Sequence, residues 1–274
     1  MITVGSVFSG IGGIDLGLER VRMTVKWQSE IEPYSCRVLK KHWPDVPNLG
    51  NIREVNWEEV ERVDVIAGGY PCQPFSAAGK RGGSDDPRHL WPEMLRAISV
   101  LRPRVAFLEN VRGHYSLGFD RVLGDLADIG YDCQWEIVSA QSVGAPHRRE
   151  RLICLAYPND SRGGASRSDA DRNRSEDVAG WYDQSQSQPC RCGEKVANTN
   201  GERCEAVLRG AHNLQQFDPK SKWLTDHWAI EPDVGRVAHG IPARVDRLRG
   251  LGNAVVPQVA EVVGRVIMEM LTPI

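Results

Sequence analysis

Along the first 158 positions, apolar residues recur in two rhythms. Short apolar runs at Thr3–Ser9, Met23–Glu30, Val63–Gly69, Arg104–Asn110, Tyr131–Ala140 and Arg151–Tyr157 predict strands. Between them Ile14–Val21, Pro33–Trp43, His89–Leu101 and Asp120–Ile129 carry apolar residues at helical spacing. Strand and helix in alternation predict an α/β fold: a doubly wound, mostly parallel sheet.

The rhythm stops at Asn159. The 64 residues from there to Lys222 hold only five branched aliphatics, Val178, Val196, Val207, Leu208 and Leu214. A stretch that polar cannot bury much and reads as a surface lobe or a partly mobile segment. Order returns from Trp223, and the closing run PQVAEVVGRVIMEML predicts a helix with Pro257 in its first turn.

Composition narrows the class without settling it. Of 274 residues 41% are hydrophobic and 26% charged, which excludes a wholly disordered chain. No apolar run approaches the roughly 20 residues of a membrane span, and MITVGSVFSG lacks a signal-peptide pattern. Seven cysteines without framework spacing fit a reducing cytoplasm. Cys190, Cys192 and Cys204 lack the spacing of a four-ligand zinc site, so no metal is expected. With 34 basic and 36 acidic side chains the net charge is −2, which argues against coating nucleic acid by bulk charge. A local basic groove stays open.

The first candidate chemistry lies where the first strand hands over to the first helix. Val7–Phe8–Ser9–Gly10–Ile11–Gly12–Gly13 predicts a tight turn that lets a ligand lie against the backbone. Glu30 follows Gly10 by 20 residues, at the end of the second strand run, where an acid can hold the ribose hydroxyls of an adenosine. A nicotinamide dinucleotide and S-adenosylmethionine both present that ribose. The G-x-G-G spacing departs from the G-x-G-x-x-G of pyrophosphate binding and leans away from the dinucleotide.

The second lies after the third strand run. Gly68–Gly69–Tyr70–Pro71–Cys72–Gln73–Pro74–Phe75–Ser76 holds a cysteine between two prolines at the ligand edge of such a sheet. One cysteine among seven is by default buried and inert, so its neighbours decide. Phe107–Leu108–Glu109–Asn110–Val111 brings an acid to the same edge, and Pro146–His147–Arg148–Arg149–Glu150–Arg151 leads into the last strand run. On an extended segment Arg149 and Arg151 would point the same way.

Taken together, F-S-G-I-G-G, G-G-Y-P-C-Q-P-F-S, F-L-E-N-V, R-R-E-R and Leu251–Gly252–Asn253–Ala254–Val255–Val256–Pro257 resemble, in order, the motifs of DNA cytosine-5 methyltransferases of the bacterial or phage kind. The resemblance spans nearly the whole chain apart from the polar stretch. It implies methyl transfer from S-adenosyl-L-methionine to C5 of a flipped-out cytosine in a specific duplex sequence. Cys72 would add to C6, Glu109 would supply a proton at N3, Arg151 would face the base carbonyl, and Arg149 would lower the Cys72 pKa or contact phosphate. Its apolar approach, Ala106–Phe107–Leu108, suits a Glu109 carboxyl of raised pKa. Pro71, Gln73, Ser76 and Asn110 would line the base pocket. Phe8, Gly10, Gly12 and Gly13 would line the cofactor, with Glu30 on the ribose, Ile31 against the adenine, Asn51 facing its amino group, and Asn253 and Ala254 closing the site. The run Ser76–Ser84, with Lys80 and Arg81, reads as a loop that closes over the base or as a passive surface loop.

The same resemblance divides the chain into residues 1–158 for catalysis and cofactor, 159–240 for target recognition, and 241–274 returning to the catalytic part. His147 stands where a glutamine is more usual and receives no role; Val245–Arg249 is assigned to part of an arginine-bearing segment. The expected setting is a monomer in the cytoplasm of a bacterial or phage-infected cell, with duplex DNA as partner and a companion restriction endonuclease where modification guards against one. Rival readings are methylation of tRNA, a non-catalytic DNA-binding relative, and a nicotinamide oxidoreductase. Arg148, Arg149 and Arg151, with Arg244, Arg247 and Arg249, are the expected basic groove.

Overall fold

A computed structural model describes residues 1–71, 90–159 and 244–272. The chain divides into two compact units, Met1–Pro158 with Gly210–Ile274, and Asn159–Arg209; every element described belongs to the first. Its strands are β1 (Thr3–Val7), β2 (Thr24–Ser29), β3 (Val65–Gly68), β4 (Val105–Val111), β5 (Tyr131–Val138) and β6 (Arg151–Pro158). Its helices are α1 (Gly13–Arg20), α2 (Pro33–His42), α3 (Trp91–Leu101), α4 (Phe119–Asp128), α5 (Arg244–Asn253) and α6 (Pro257–Leu271). The six strands form one sheet in the order β2-β1-β3-β4-β6-β5. The first four run parallel, and β6 is antiparallel to both β4 and β5. This is the expected mostly parallel α/β sheet, and each strand begins and ends within two residues of its apolar run.

The two faces of the sheet bury separate cores. Val4, Val65, Phe107, Ile153 and Leu155 face one side with Leu18 of α1 and Val259, Val263 and Ile267 of α6. Ile66, Ala106, Leu108 and Cys154 face the other with Met94 and Ile98 of α3 and Leu126 of α4. Period-two alternation on strands buried from both sides gives this division. β2 breaks the alternation. Its register against β1 shifts between Val4 and Gly5, so that Gly5 pairs with Trp27. The bulge turns Trp27 to the second core, where Gly5 makes room: a Cβ there would overlap the indole ring.

The C-terminal helix closes the unit against its start. Pro257 stands in the first turn of α6, and Val259, Ala260, Val262, Val263, Ile267 and Leu271 are buried. Each large apolar side chain so covered contributes roughly 1.5–3 kcal/mol, as an upper bound. Gly17 lets α1 approach closely, since a Cβ there would run into the Pro257 carbonyl oxygen. Helix α5 has no counterpart among the elements that periodicity predicts. Val245, Leu248 and Leu251 recur along it at intervals of three yet stay exposed, so this short helix does not present a buried apolar face.

Candidate functional site

The carboxyl ends of the parallel strands open on one cavity of about 420 Å³, within the usual range for a small-molecule site. One wall is the turn after β1. Phe8, Gly10 and Gly12 all adopt positive φ there, at 52°, 55° and 83°. Glu30, just past β2, holds the turn: its Oε2 accepts from the Gly10 amide at 2.7 Å, and its Oε1 accepts from the Ile31 and Glu32 amides, each at 2.8 Å. Asn48 fixes Glu30 in turn, accepting from its amide at 3.0 Å and donating to its carbonyl at 3.0 Å. Nothing in the sequence singles out Asn48.

Phe8, Gly10, Gly13, Glu30, Ile31, Asn51, Asn253 and Ala254 all line this cavity. Ile31 is 65% exposed beside it, an uncovered apolar surface next to an acceptor carboxylate. That pairing fits an adenosine, whose ring needs an apolar cover and whose diol needs an acceptor. The Asn51 side chain is already engaged, its Oδ1 accepting from the Arg53 amide at 3.2 Å and its Nδ2 donating to Glu54 at 2.6 Å. Gly12 is the exception among the expected lining residues. It faces α2, and a Cβ there would overlap the Trp43 ring. Packing and a left-handed backbone account for this glycine.

The opposite wall comes from β3, β4 and β6. Asn110 donates to the Tyr70 carbonyl at 3.1 Å, and the Tyr70 hydroxyl lies 2.9 Å from His114 Nε2 in a buried aromatic cluster with Trp91. These contacts fix Tyr70 and Pro71, which line the cavity. Cys72, Gln73, Ser76 and the run through Ser84 lie outside the described residues, as do Cys190, Cys192 and Cys204.

Glu109 sits near the end of β4, its side chain 9% exposed. β4 and β6 pair Val111 with Arg151, so Arg151 is the diagonal neighbour of Glu109 and its Nε reaches Oε1 at 2.8 Å. Gly69 closes over the other oxygen; a Cβ there would collide with Glu109 Oε2. Burial raises the Glu109 pKa from 4.5 to about 7, against the opposing pull of Arg151 and Arg149. The carboxyl therefore exchanges its proton near neutral pH.

The extended arrangement expected for Arg149 and Arg151 is corrected. Arg149 has φ 36°, so the chain turns before β6 begins. Its Nη2 donates to the carbonyls of Leu251, Gly252 and Ala254 at 3.3, 2.6 and 2.5 Å. Burial and the neighbouring Arg151 lower the Arg149 pKa. Arg112 and Glu150 pair at 2.7 Å at the exposed rim of this wall.

Two further groups carry no signal in the sequence. Asp15 of α1 and Gln28 of β2 are both 1% exposed beneath the glycine turn, with Gln28 Nε2 donating to Asp15 Oδ2 at 3.1 Å. Asp15 reads in sequence as an ordinary first-turn acid, and only the fold buries it.

Residues 2–242 match the family model for C-5 cytosine-specific DNA methylases. The chain belongs to that family. The methyl donor of C-5 cytosine-specific DNA methylases is S-adenosyl-L-methionine. Among curated relatives, the chain is 36% identical over 159 residues to the type II methyltransferase M.NgoMIV of Neisseria gonorrhoeae, covering 56% of this chain and 51% of that one. It is 37% identical over 166 residues to M.Eco47II of Escherichia coli, covering 58% and 40%. The chain thus spans about half, or less, of the length of these relatives. Among solved structures, a putative DNA modification methyltransferase of an Escherichia coli prophage superposes with TM-score 0.50 at 27% identity, covering 61% of this chain and 49% of that one. A DNMT2 mutant of Spodoptera frugiperda superposes at 0.51 and 23% identity, covering 62% and 54%, and shares the fold. Among the described residues no helix is long and apolar enough to cross a membrane.

Proposed function

We propose that the protein methylates C5 of a cytosine flipped out of a specific duplex DNA sequence, through a covalent adduct between Cys72 and C6. The observation that carries this reading is the placement of Glu109: buried, titrating near 7, paired with Arg151, and packed against Gly69 three residues before Cys72. Cytosine C5 is too electron-poor to attack a methyl group unaided. Addition of the Cys72 thiolate at C6 moves electron density toward N3 and C5. Glu109 places a proton at N3 as that density arrives, and Arg151 neutralises the base carbonyl. When bound, S-adenosyl-L-methionine supplies an electrophilic methyl on a sulfonium. Glu30 would hold its ribose, Ile31 would cover its adenine, and Asn253 and Ala254 would close over it. Loss of the C5 proton then expels the cysteine.

Asn110 acts beside this chemistry by pinning the Tyr70 carbonyl, which keeps Pro71, and with it the entry to Cys72, against the base. Gln73 and Ser76 complete the base pocket. Residues 159–240 read the target sequence, and residues 241–274 return to complete the cofactor site. In its setting, a bacterial or phage-infected cytoplasm, the activity protects DNA from a restriction endonuclease.

The test is to incubate the protein with methyl-labelled S-adenosyl-L-methionine and either pooled duplex DNA or tRNA, alongside Cys72→Ser. The expected result is label in DNA as 5-methylcytosine, absent from Cys72→Ser. Label in tRNA alone, or equal label from both proteins, overturns the reading.

A further inference from the structure

The three carbonyls that Arg149 meets belong to the end of α5 and the residue after it. A helix leaves the carbonyls of its last turn without internal donors, and the helix dipole makes that end negative. Leu251 and Gly252 lie in that turn, and Ala254 follows. Gly252, Asn253, Ala254 and Val255 line the cofactor cavity, so the segment Arg149 holds is the one that closes it. The other end of the link is equally fixed. The Ser139 hydroxyl and the Ala140 amide both donate to the Arg148 carbonyl at 2.7 Å, immediately before the left-handed turn at Arg149. Two residues further on, Arg151 pairs with Glu109.

We infer that Arg149 is a positioning residue: its guanidinium caps α5 and clasps the segment Leu251–Ala254 to the wall that carries Glu109 and Arg151. It joins the cofactor side of the cavity to the base side, in place of the thiol or phosphate contact that its neighbours in sequence suggest. A guanidinium suits the task because it stays charged and its terminal Nη2 reaches the three carbonyls gathered at the negative end of α5, its two protons shared among them. The clasp ties a segment more than 100 residues away in sequence to the turn that leads into β6. It rests on the methyltransfer reading only for the identity of the ligand that the closed segment covers.

The test uses the full chain with Arg149→Ala and Arg149→Lys. Three quantities are read: affinity for S-adenosyl-L-methionine without DNA, amide hydrogen exchange over residues 250–256, and the salt dependence of binding to random-sequence duplex DNA. Arg149→Ala is expected to weaken cofactor binding about tenfold and to speed exchange at 250–256. Arg149→Lys is expected to lose about threefold, since an ammonium also donates to carbonyls but from a shorter side chain that reaches them less well. The salt slope should stay that of the wild type in both. Unchanged cofactor affinity and exchange, with a slope reduced by about one in Arg149→Ala, would mark a phosphate contact and overturn the inference. If Arg149→Ala does not fold, Arg149→Lys decides: wild-type affinity and exchange in it are equally fatal. A wild-type protein that binds no S-adenosyl-L-methionine would sink the methyltransfer reading, while the exchange measurement would still judge the clasp.

Discussion

Two carboxylates stand at the same edge of the sheet and are held in opposite ways. Glu30, after β2, accepts three backbone amides, and Asn48 locks its own amide and carbonyl. Glu109, near the end of β4, is buried against Gly69 and meets one arginine, and burial lifts it to about 7. The first is a fixed acceptor, built into the turn that it organises. The second is a group that gains and loses a proton near neutrality. In the proposed function, one family of side chain serves binding at one wall and proton transfer at the other, and the difference lies in the donors and the burial each strand end provides.

Glu109→Gln, which keeps shape and removes the exchangeable proton, should have the largest effect. Methyl transfer at saturating cofactor should fall about 10²–10⁴-fold, while cofactor affinity stays near wild type, measured by single turnover and by titration calorimetry. Next comes Gly69→Ala. Its Cβ must displace Glu109 Oε2, and a shift of that kind at a reacting group should slow transfer about 10²-fold with little effect on cofactor binding. Glu30→Gln should reverse the pattern. An amide nitrogen would face the amides that Glu30 now accepts, so cofactor affinity should drop about tenfold with transfer at saturation nearly unchanged.

Asp15→Asn should have the smallest effect on transfer and shows instead in the pH dependence of stability. Asp15, like Glu109, is raised to about 7 by burial, from 3.8, but it lies under the turn and not among the cavity-lining residues. The folded protein therefore holds protons that the unfolded chain releases between pH 4 and 7, and both groups lower stability as pH rises through that window. Removing Asp15 should make the loss shallower by about 1 kcal/mol per pH unit, read from urea unfolding at several pH values. An unchanged slope would mean that Asp15 is ionised in the fold.

Much of this arrangement is legible in the order of residues alone. The six apolar runs place the strands, and the succession of glycine turn, acid, Gly69–Tyr70–Pro71 and E-N-V places both walls on one edge. What escapes has identifiable physical causes. Helix α5 leaves its apolar residues exposed in a short, arginine-rich run, so no core face marks it out. The bulge in β2 moves Trp27 across the sheet, which no local pattern announces. Gly12 reads as a ligand glycine until Trp43 is seen to occupy the space of its missing side chain. Arg149 reads as the partner of Arg151 on a strand because a left-handed residue before a strand leaves no mark in the sequence. Each of these depends on contacts between residues far apart in the chain.

The contrast between the two acids rests on one physical claim, that Glu109 exchanges a proton near neutral pH. Infrared difference spectroscopy of the carboxyl stretch against pH, on wild type, Asp15→Asn and Glu109→Gln, measures it directly. A buried carboxyl titrating at about 7 should persist in Asp15→Asn and vanish in Glu109→Gln. If the band lost in Glu109→Gln titrates instead at 4.5 or below, the arginines fully offset burial, and Glu109 is a second fixed acceptor that carries no proton to the base.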